Sequence, residues 1–191
     1  MTEHLTPSEV QAVIKAAKAR STRDWAMVLL AYRHGLRASE VCGLKLSDVD
    51  IRNESITLRR LKGSLKTVQP LYRHRGQPLL DEVHAMKAWL RERADDGSDY
   101  VFTSQKGGRL DRTQFFRIFQ ALATEAGLPT EKRHPHCLKH SLGTHLVQRN
   151  TNLALVKQAL GHKSISSTLR YTAVTDSQAA KAVSAALSDL F

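Results

Sequence analysis

The chain has 191 residues, 41% hydrophobic and 25% charged, enough for one sizeable core, with two small domains still possible. Lys and Arg outnumber Asp and Glu by 29 to 18, a formal net charge of +11, so the expected partner is a polyanion. No run approaches the ~18 apolar residues of a membrane span. Trp and Phe are sparse and no basic amphipathic helix stands out, which favours nucleic acid over a membrane surface.

MTEHLTPSE has no apolar signal-peptide core, so a soluble, cytoplasmic protein is expected. Thr6-Pro7-Ser8-Glu9 opens a helix. Thr6 caps, Pro7 suits the first helical position, and Glu9 completes a capping box. Val10, Val13, Ile14 and Ala17 form its apolar stripe. A second helix starts near Ser21 and stops at Gly35. Trp25, Met27, Val28, Leu29 and Leu30 make it apolar nearly all round, which predicts a central position. Gly35 supplies a positive-φ turn, and Arg37 follows it. Ser39-Glu40 begins another short helix. Two readings of Arg37 stay open here: a surface arginine paired with Glu40, or a guanidinium fork that Glu40 orients toward an oxyanion.

Ser55–Arg60 alternates, with Ile56 and Leu58 on one side, and Thr67–Leu71 alternates more weakly. The pair predicts a β-hairpin whose loop carries Lys62 and Lys66. From Arg52 to Arg75 there are seven Lys/Arg residues against one acid, Glu54. This charge run reads as a solvated basic face or, beside a phosphate site, as contact with a DNA or RNA backbone, for which Arg59, Arg60, Lys66 and Arg73 are the expected residues. Asp81–Ala94 predicts an amphipathic helix with Val83, Met86 and Leu90 inward. Tyr100–Phe102 reads as a short strand or an extended segment, and Gly107-Gly108 as a turn. Asp111 caps a helix in which Phe115, Phe116, Ile118, Phe119 and Leu122 are expected to pack as core. A last helix covers Asp176–Leu190. Cys42 and Cys137 lie in apolar-periodic segments without a CxxC and read as buried thiols in a reducing compartment. The fold class is mainly α with a small antiparallel β-sheet (α+β), as one domain over 1–191.

Between His134 and Tyr171 run HPHCLKHSLGTHL and LGHKSISSTLRYT. His136, Lys139 and His140 fall at i, i+3 and i+4, on one helical face, with Leu138, Leu142 and Leu146 on another. His162 follows Gly161, and Tyr171 lies nine residues on. Arg37, Lys62, His136, Lys139, His140, His162 and Tyr171 together supply what metal-free phosphodiester cleavage requires. Cations sit where charge builds on the non-bridging oxygens. Acid–base groups deprotonate a nucleophile and protonate the leaving 5′ oxygen. A tyrosine, with an ordinary pKa near ~10, needs such neighbours. His136 and His140 have the HxxxH spacing of a zinc helix, but lack the following Glu and flank a lysine. No metal is expected. His140 is open between bonding to nearby backbone and touching the substrate.

On these motifs the chain resembles the tyrosine recombinase, or phage integrase, family along nearly its whole length. GLRASE resembles the first-arginine motif, with Arg37 the arginine. LKGSLKTVQPL is similar to the β-hairpin motif, with Lys62 the lysine. HPHCLKH resembles the His-x-x-Arg box, with His136 the histidine. LGHKSISSTLRYT resembles the box of the second histidine, His162, and the nucleophile, Tyr171. The resemblance implies a 3′-phosphotyrosyl intermediate and strand exchange through a Holliday junction. The enzyme would act as a tetramer on double-stranded DNA, without metal, ATP or other cofactor. Helix 176–190 would dock on a neighbouring protomer rather than cap its own core. The resemblance further implies a chain that starts at the catalytic domain, without an N-terminal core-binding domain, similar to the short fimbrial phase-switch invertases. The family's second arginine is Lys139 here. Lysine keeps the charge but not the two-pronged geometry, so an active but slowed enzyme is expected. The alternative is a recombinase-like DNA-binding protein impaired at that position.

Overall fold

The computed structural model describes residues 4–60, 66–93, 95–162, 164, 166–169, 171 and 184. Helices α1 (Pro7–Arg20) and α2 (Thr22–Arg33) form an antiparallel start. A capping box at Thr6 and Glu9 opens α1, and the Ser21 side chain caps α2 by accepting from the Asp24 N–H. Every residue from Asp24 to Ala31 is buried. This all-round burial follows from position: α2 packs on α1, on the short α3 (Ala38–Cys42), on α4 (Glu82–Glu92) and on α6 (His136–Gln148). The helix that is apolar all round is therefore the hub.

A three-stranded antiparallel sheet lies beside this hub, in the order β1 (Val49–Asp50), β2 (Ser55–Leu58), β3 (Thr67–Pro70). Ile56 pairs with Val49 on one side and Gln69 on the other, and Leu58 pairs with Thr67. Ile56 and Leu58 face the core, while Val68 is 68% exposed. Lys62 and most of the hairpin loop lie outside the described residues. Tyr100 joins Lys45 through one bridge, and Val101 and Phe102 form a bend rather than a strand.

Helix α5 (Arg112–Glu125), capped by Asp111, packs on α1 and α3 through Phe115, Phe119 and Leu122. Phe116 departs from the expected aromatic core. It is 42% exposed, because its position on α5 points past the α1 contact into a cleft. Helices α6 and α7 (Leu153–Leu160) pack on each other, and α8 (Ser166–Leu169) packs on α7. The N-terminal segment is tied to α6: the Leu5 N–H donates to Ser141 Oγ at 2.8 Å, and His145 Nε2 bonds the Leu5 carbonyl at 2.9 Å. Helix 176–190 falls almost wholly outside the described residues.

Cys42 and Cys137 are both buried. Burial pushes each thiol up to about 12, which leaves them as unreactive packing groups. The two faces of the hairpin should differ in urea denaturation. Leu58→Ala is expected to cost about 2–5 kcal/mol, and Val68→Ala less than about 0.5 kcal/mol. Equal losses would mean that the hairpin does not rest on the core through the Leu58 face.

Candidate active site

The site is assembled from three separated stretches. Arg37 sits at the N-terminus of α3, held by Glu40 one turn on. The Glu40 carboxylate accepts from the Arg37 backbone N–H and from its Nη1, both at 2.9 Å. Burial pushes the Glu40 carboxyl up. The Arg37 N–H and the charges of Arg60, Lys139 and Arg37 outweigh that and hold it below the usual range. Glu40 is thus an anionic socket for a half-exposed arginine, a pairing common to both readings open in the sequence. The Arg37 side chain opens into a cleft of about 540 Å³ with Ser39, Arg112, Phe116, His134 and His136 along its walls. Arg112 and His134 add basic groups here that the motifs did not single out.

His136 begins α6 and is exposed to this cleft. Its ring meets that of His140 edge-on, with centroids 4.2 Å apart. His140 is buried, and its Nδ1 lies 3.1 Å from the Tyr171 hydroxyl. His162 closes the other side, its ring nearly parallel to Tyr171 at 6.3 Å. The His162 Nδ1 is 3.0 Å from the hydroxyl of Thr168. Thr168 is fully buried in α8, so it orients the ring through one nitrogen. Only its spacing of three residues before Tyr171 could have drawn attention to it. The described aromatic rings therefore run His136, His140, Tyr171, His162.

Tyr171 is only 9% exposed. It belongs to a small apolar cluster with Val156 and Leu160, walled by Leu142, Leu146 and Val147. Its ring lies flat on α6 at Gly143. A Cβ there would be 2.7 Å from the Tyr171 Cε2 and Cζ, closer than any carbon contact allows. A glycine in the middle of a helix costs stability, and here it is the space for the tyrosine.

Two cations do not face the cleft. Lys139 is 2% exposed. Its Nζ donates to the Gly35 carbonyl at 2.7 Å and the Leu160 carbonyl at 2.6 Å. A contact with phosphate would require it to leave both. Arg60, which the charge run assigns to DNA, is buried as well and bonds to backbone carbonyls and to Glu40. That assignment is corrected: a buried guanidinium has no surface to offer a phosphate. Arg59, Lys66 and Arg73 are exposed. Of these, Arg59 pairs with Asp48 at 3.0 Å and Arg73 with Glu54.

Residues 3–178 match the model of the phage integrase family. The chain belongs to the phage integrase family. Among its relatives, the type 1 fimbriae regulatory protein FimE of Escherichia coli is 41% identical over 176 residues, 89% of this chain and 85% of that protein. The tyrosine recombinase XerA of Pyrococcus furiosus is 36% identical over 182 residues. That match covers 94% of this chain but only 60% of XerA. A crystal structure of XerA recombinase superposes with a TM-score of 0.79 at 30% identity, covering 96% of this chain and 65% of that one. XerH bound to its difH substrate, a pre-cleavage complex, gives 0.77 at 26% identity, covering 95% and 53%. The mainly helical catalytic fold of the site-specific tyrosine recombinases is therefore the fold of this chain.

Lys139 carries a pH signature. Burial, with the Arg60 charge beside it, pulls its ammonium down to about 7 from 10.5, against the opposing pull of Glu40. A lysine that binds its proton more weakly when folded destabilises the fold below about 7 and ceases to do so above about 10.5. Between those values the unfolded chain binds more protons, so stability rises with pH. In urea titrations at pH 7 and pH 9, wild type should gain stability relative to Lys139→Met. An identical pH response in the two proteins would overturn this. Gly143→Ala should lower the melting temperature, because displacing Tyr171 from its cluster costs about 1–3 kcal/mol, more than the roughly 1 kcal/mol that alanine gains in a helix. A variant that melts at or above wild type would refute that account of the glycine.

Proposed function

We propose that this protein is a site-specific DNA recombinase whose nucleophile is Tyr171. The observation that carries the reading is the Tyr171 hydroxyl bonded to His140, flanked by His162, and joined through His136 to the Arg37 cleft. Arg37 and His136 meet the non-bridging oxygens of the scissile phosphate, and His162, held by Thr168, closes on it. Charge develops there, and preorganised donors lower the barrier without moving. His140 takes the phenolic proton through Nδ1 as the tyrosine oxygen attacks phosphorus. The bond from phosphorus to the 5′ oxygen breaks, and that oxygen receives a proton. We assign this last donation to Lys62, since a loop lysine is a good proton donor that can reach into a groove. The product is a 3′-phosphotyrosyl ester and a free 5′ hydroxyl. The ester retains the bond energy, so the reverse attack by a 5′ hydroxyl of another strand reseals the DNA.

The proposed partners follow from charge and from the relatives. Arg59, Lys66 and Arg73 are exposed on or next to the hairpin strands and would meet the backbone of double-stranded DNA. Strand exchange through a Holliday junction requires two duplexes. We therefore assign a tetramer to the synaptic complex, acting in the cytoplasm on inversion, excision or integration of DNA. No helix among the described residues is long and apolar enough to cross a membrane.

The test is covalent capture. Wild type incubated with nicked suicide duplexes of randomised core sequence should yield a protein–DNA adduct that survives denaturation. Sequencing the trapped DNA should return one preferred site. Tyr171→Phe should give no adduct while retaining affinity for the recovered site within a few-fold. Adduct persisting in Tyr171→Phe would remove Tyr171 as nucleophile. A wild type that binds one site but never forms adduct would favour a DNA-binding protein without chemistry.

A further inference from the structure

Arg60 lies at the end of β2, two residues before Lys62, yet its guanidinium turns inward to three parts of the site at once. One terminal nitrogen, Nη2, donates to the His34 carbonyl at 2.8 Å and to the Ala159 carbonyl at 2.9 Å. The other, Nη1, donates to the Gly35 carbonyl at 3.1 Å and to the Glu40 carboxylate at 3.3 Å. His34 and Gly35 form the turn that delivers Arg37. Glu40 is the socket of Arg37. Ala159 lies in the last turn of α7, which delivers His162 three residues later. Both helix ends, of α2 and α7, present unpaired carbonyls with negative partial charge, which suits a buried cation.

Neighbouring residues are shaped to this arrangement. Gly161 has φ +62°, and a Cβ on it would lie 2.7 to 2.9 Å from the Arg60 Nε, Cδ and Cγ. Lys139 shares the Gly35 carbonyl and adds that of Leu160. The Arg60 Nε has no hydrogen-bond partner among the described residues, so the two terminal nitrogens carry the anchoring. Four acceptors in different directions suit the planar fork of arginine. The single ammonium of lysine cannot reach them together.

We propose that Arg60 is a positioning residue for strand cleavage, acting through Glu40 on Arg37 and through the Ala159 carbonyl on His162. It sets the spacing of three motifs about one phosphate and makes no DNA contact. This rests on the recombinase reading and adds to it a residue that the catalytic motifs do not contain.

The experiment compares wild type, Arg60→Lys and Lys66→Gln on the DNA site recovered by covalent capture. Affinity, its salt dependence and the single-turnover cleavage rate at saturating protein are measured separately, at a fixed interval below each melting midpoint. Lys66→Gln, losing an exposed cation, should weaken binding and reduce the salt slope by about one. Arg60→Lys should bind with wild-type affinity and slope but cleave about 100-fold more slowly, the loss expected for an ångström-scale misplacement. Adding Glu40→Gln to Arg60→Lys should cost little more, because both act on Arg37. Weakened binding with cleavage at saturation preserved would make Arg60 a phosphate contact and overturn the proposal. Wild-type cleavage by Arg60→Lys would also overturn it, as would a loss that only tracks the unfolded fraction. If wild type itself forms no adduct, the recombinase reading falls and the inference falls with it. An adduct-forming wild type with an unaffected Arg60→Lys removes the inference alone.

Discussion

The Gly35 carbonyl is the point on which the site depends. It accepts from the Arg60 guanidinium and from the Lys139 ammonium, one from the hairpin and one from α6. Both cations also reach the C-terminal turn of α7, and Arg60 reaches Glu40 as well. Three positive groups, Arg37 included, share one buried carboxylate. Charges taken out of water are tolerable only when hydrogen-bonded and paired. The arrangement is therefore sensitive to the loss of any member. It joins, through side chains, four segments whose backbones are far apart in sequence.

A second constraint is spatial. Tyr171, the proposed nucleophile, also serves as packing material, covering Gly143 and closing the apolar cluster of α6 and α7. Its hydroxyl meets His140 while its ring is held against carbon. Positioning thus uses van der Waals contact and a missing Cβ, together with the hydrogen bond to His140 at the hydroxyl. His162 is handled in the opposite way. Its orientation comes from a hydroxyl, that of Thr168. A packed tyrosine and a hydrogen-bonded histidine together limit the freedom that a ligand would otherwise have to freeze out.

The basic hairpin divides into two jobs. Lys66 stands in solvent, Arg59 and Arg73 are exposed but held by Asp48 and Glu54, and Arg60 is withdrawn into the protein. The +11 net charge thus overstates the cations available to DNA at this edge. A cation along the cleft wall comes instead from Arg112, which belongs to no motif.

The sequence by itself determined the helices and their capping, the central α2, the hairpin, the Gly35 turn, and the order of Arg37, His136, His162 and Tyr171. Each of these is a local property: a period of 3.6 or 2, a cap three residues from its partner, a glycine where φ is positive. It also determined the pairing of Glu40 with Arg37, which is three residues long. Only the tertiary structure decided which way the ambivalent side chains turn. Phe116 sits on a helix whose apolar positions look alike in the sequence, and the partner helix covers only some of them. Lys139 shares a helical face with His136 and His140, yet its ammonium is drawn to carbonyls 104 and 21 residues away. Arg60 lies in a charge run that reads as surface, and its carbonyl partner on α7 is 99 residues distant. A long cation on an element's edge can swing to solvent or to core. The choice depends on whether uncapped carbonyls happen to face it, and that is settled by how distant helices end against one another.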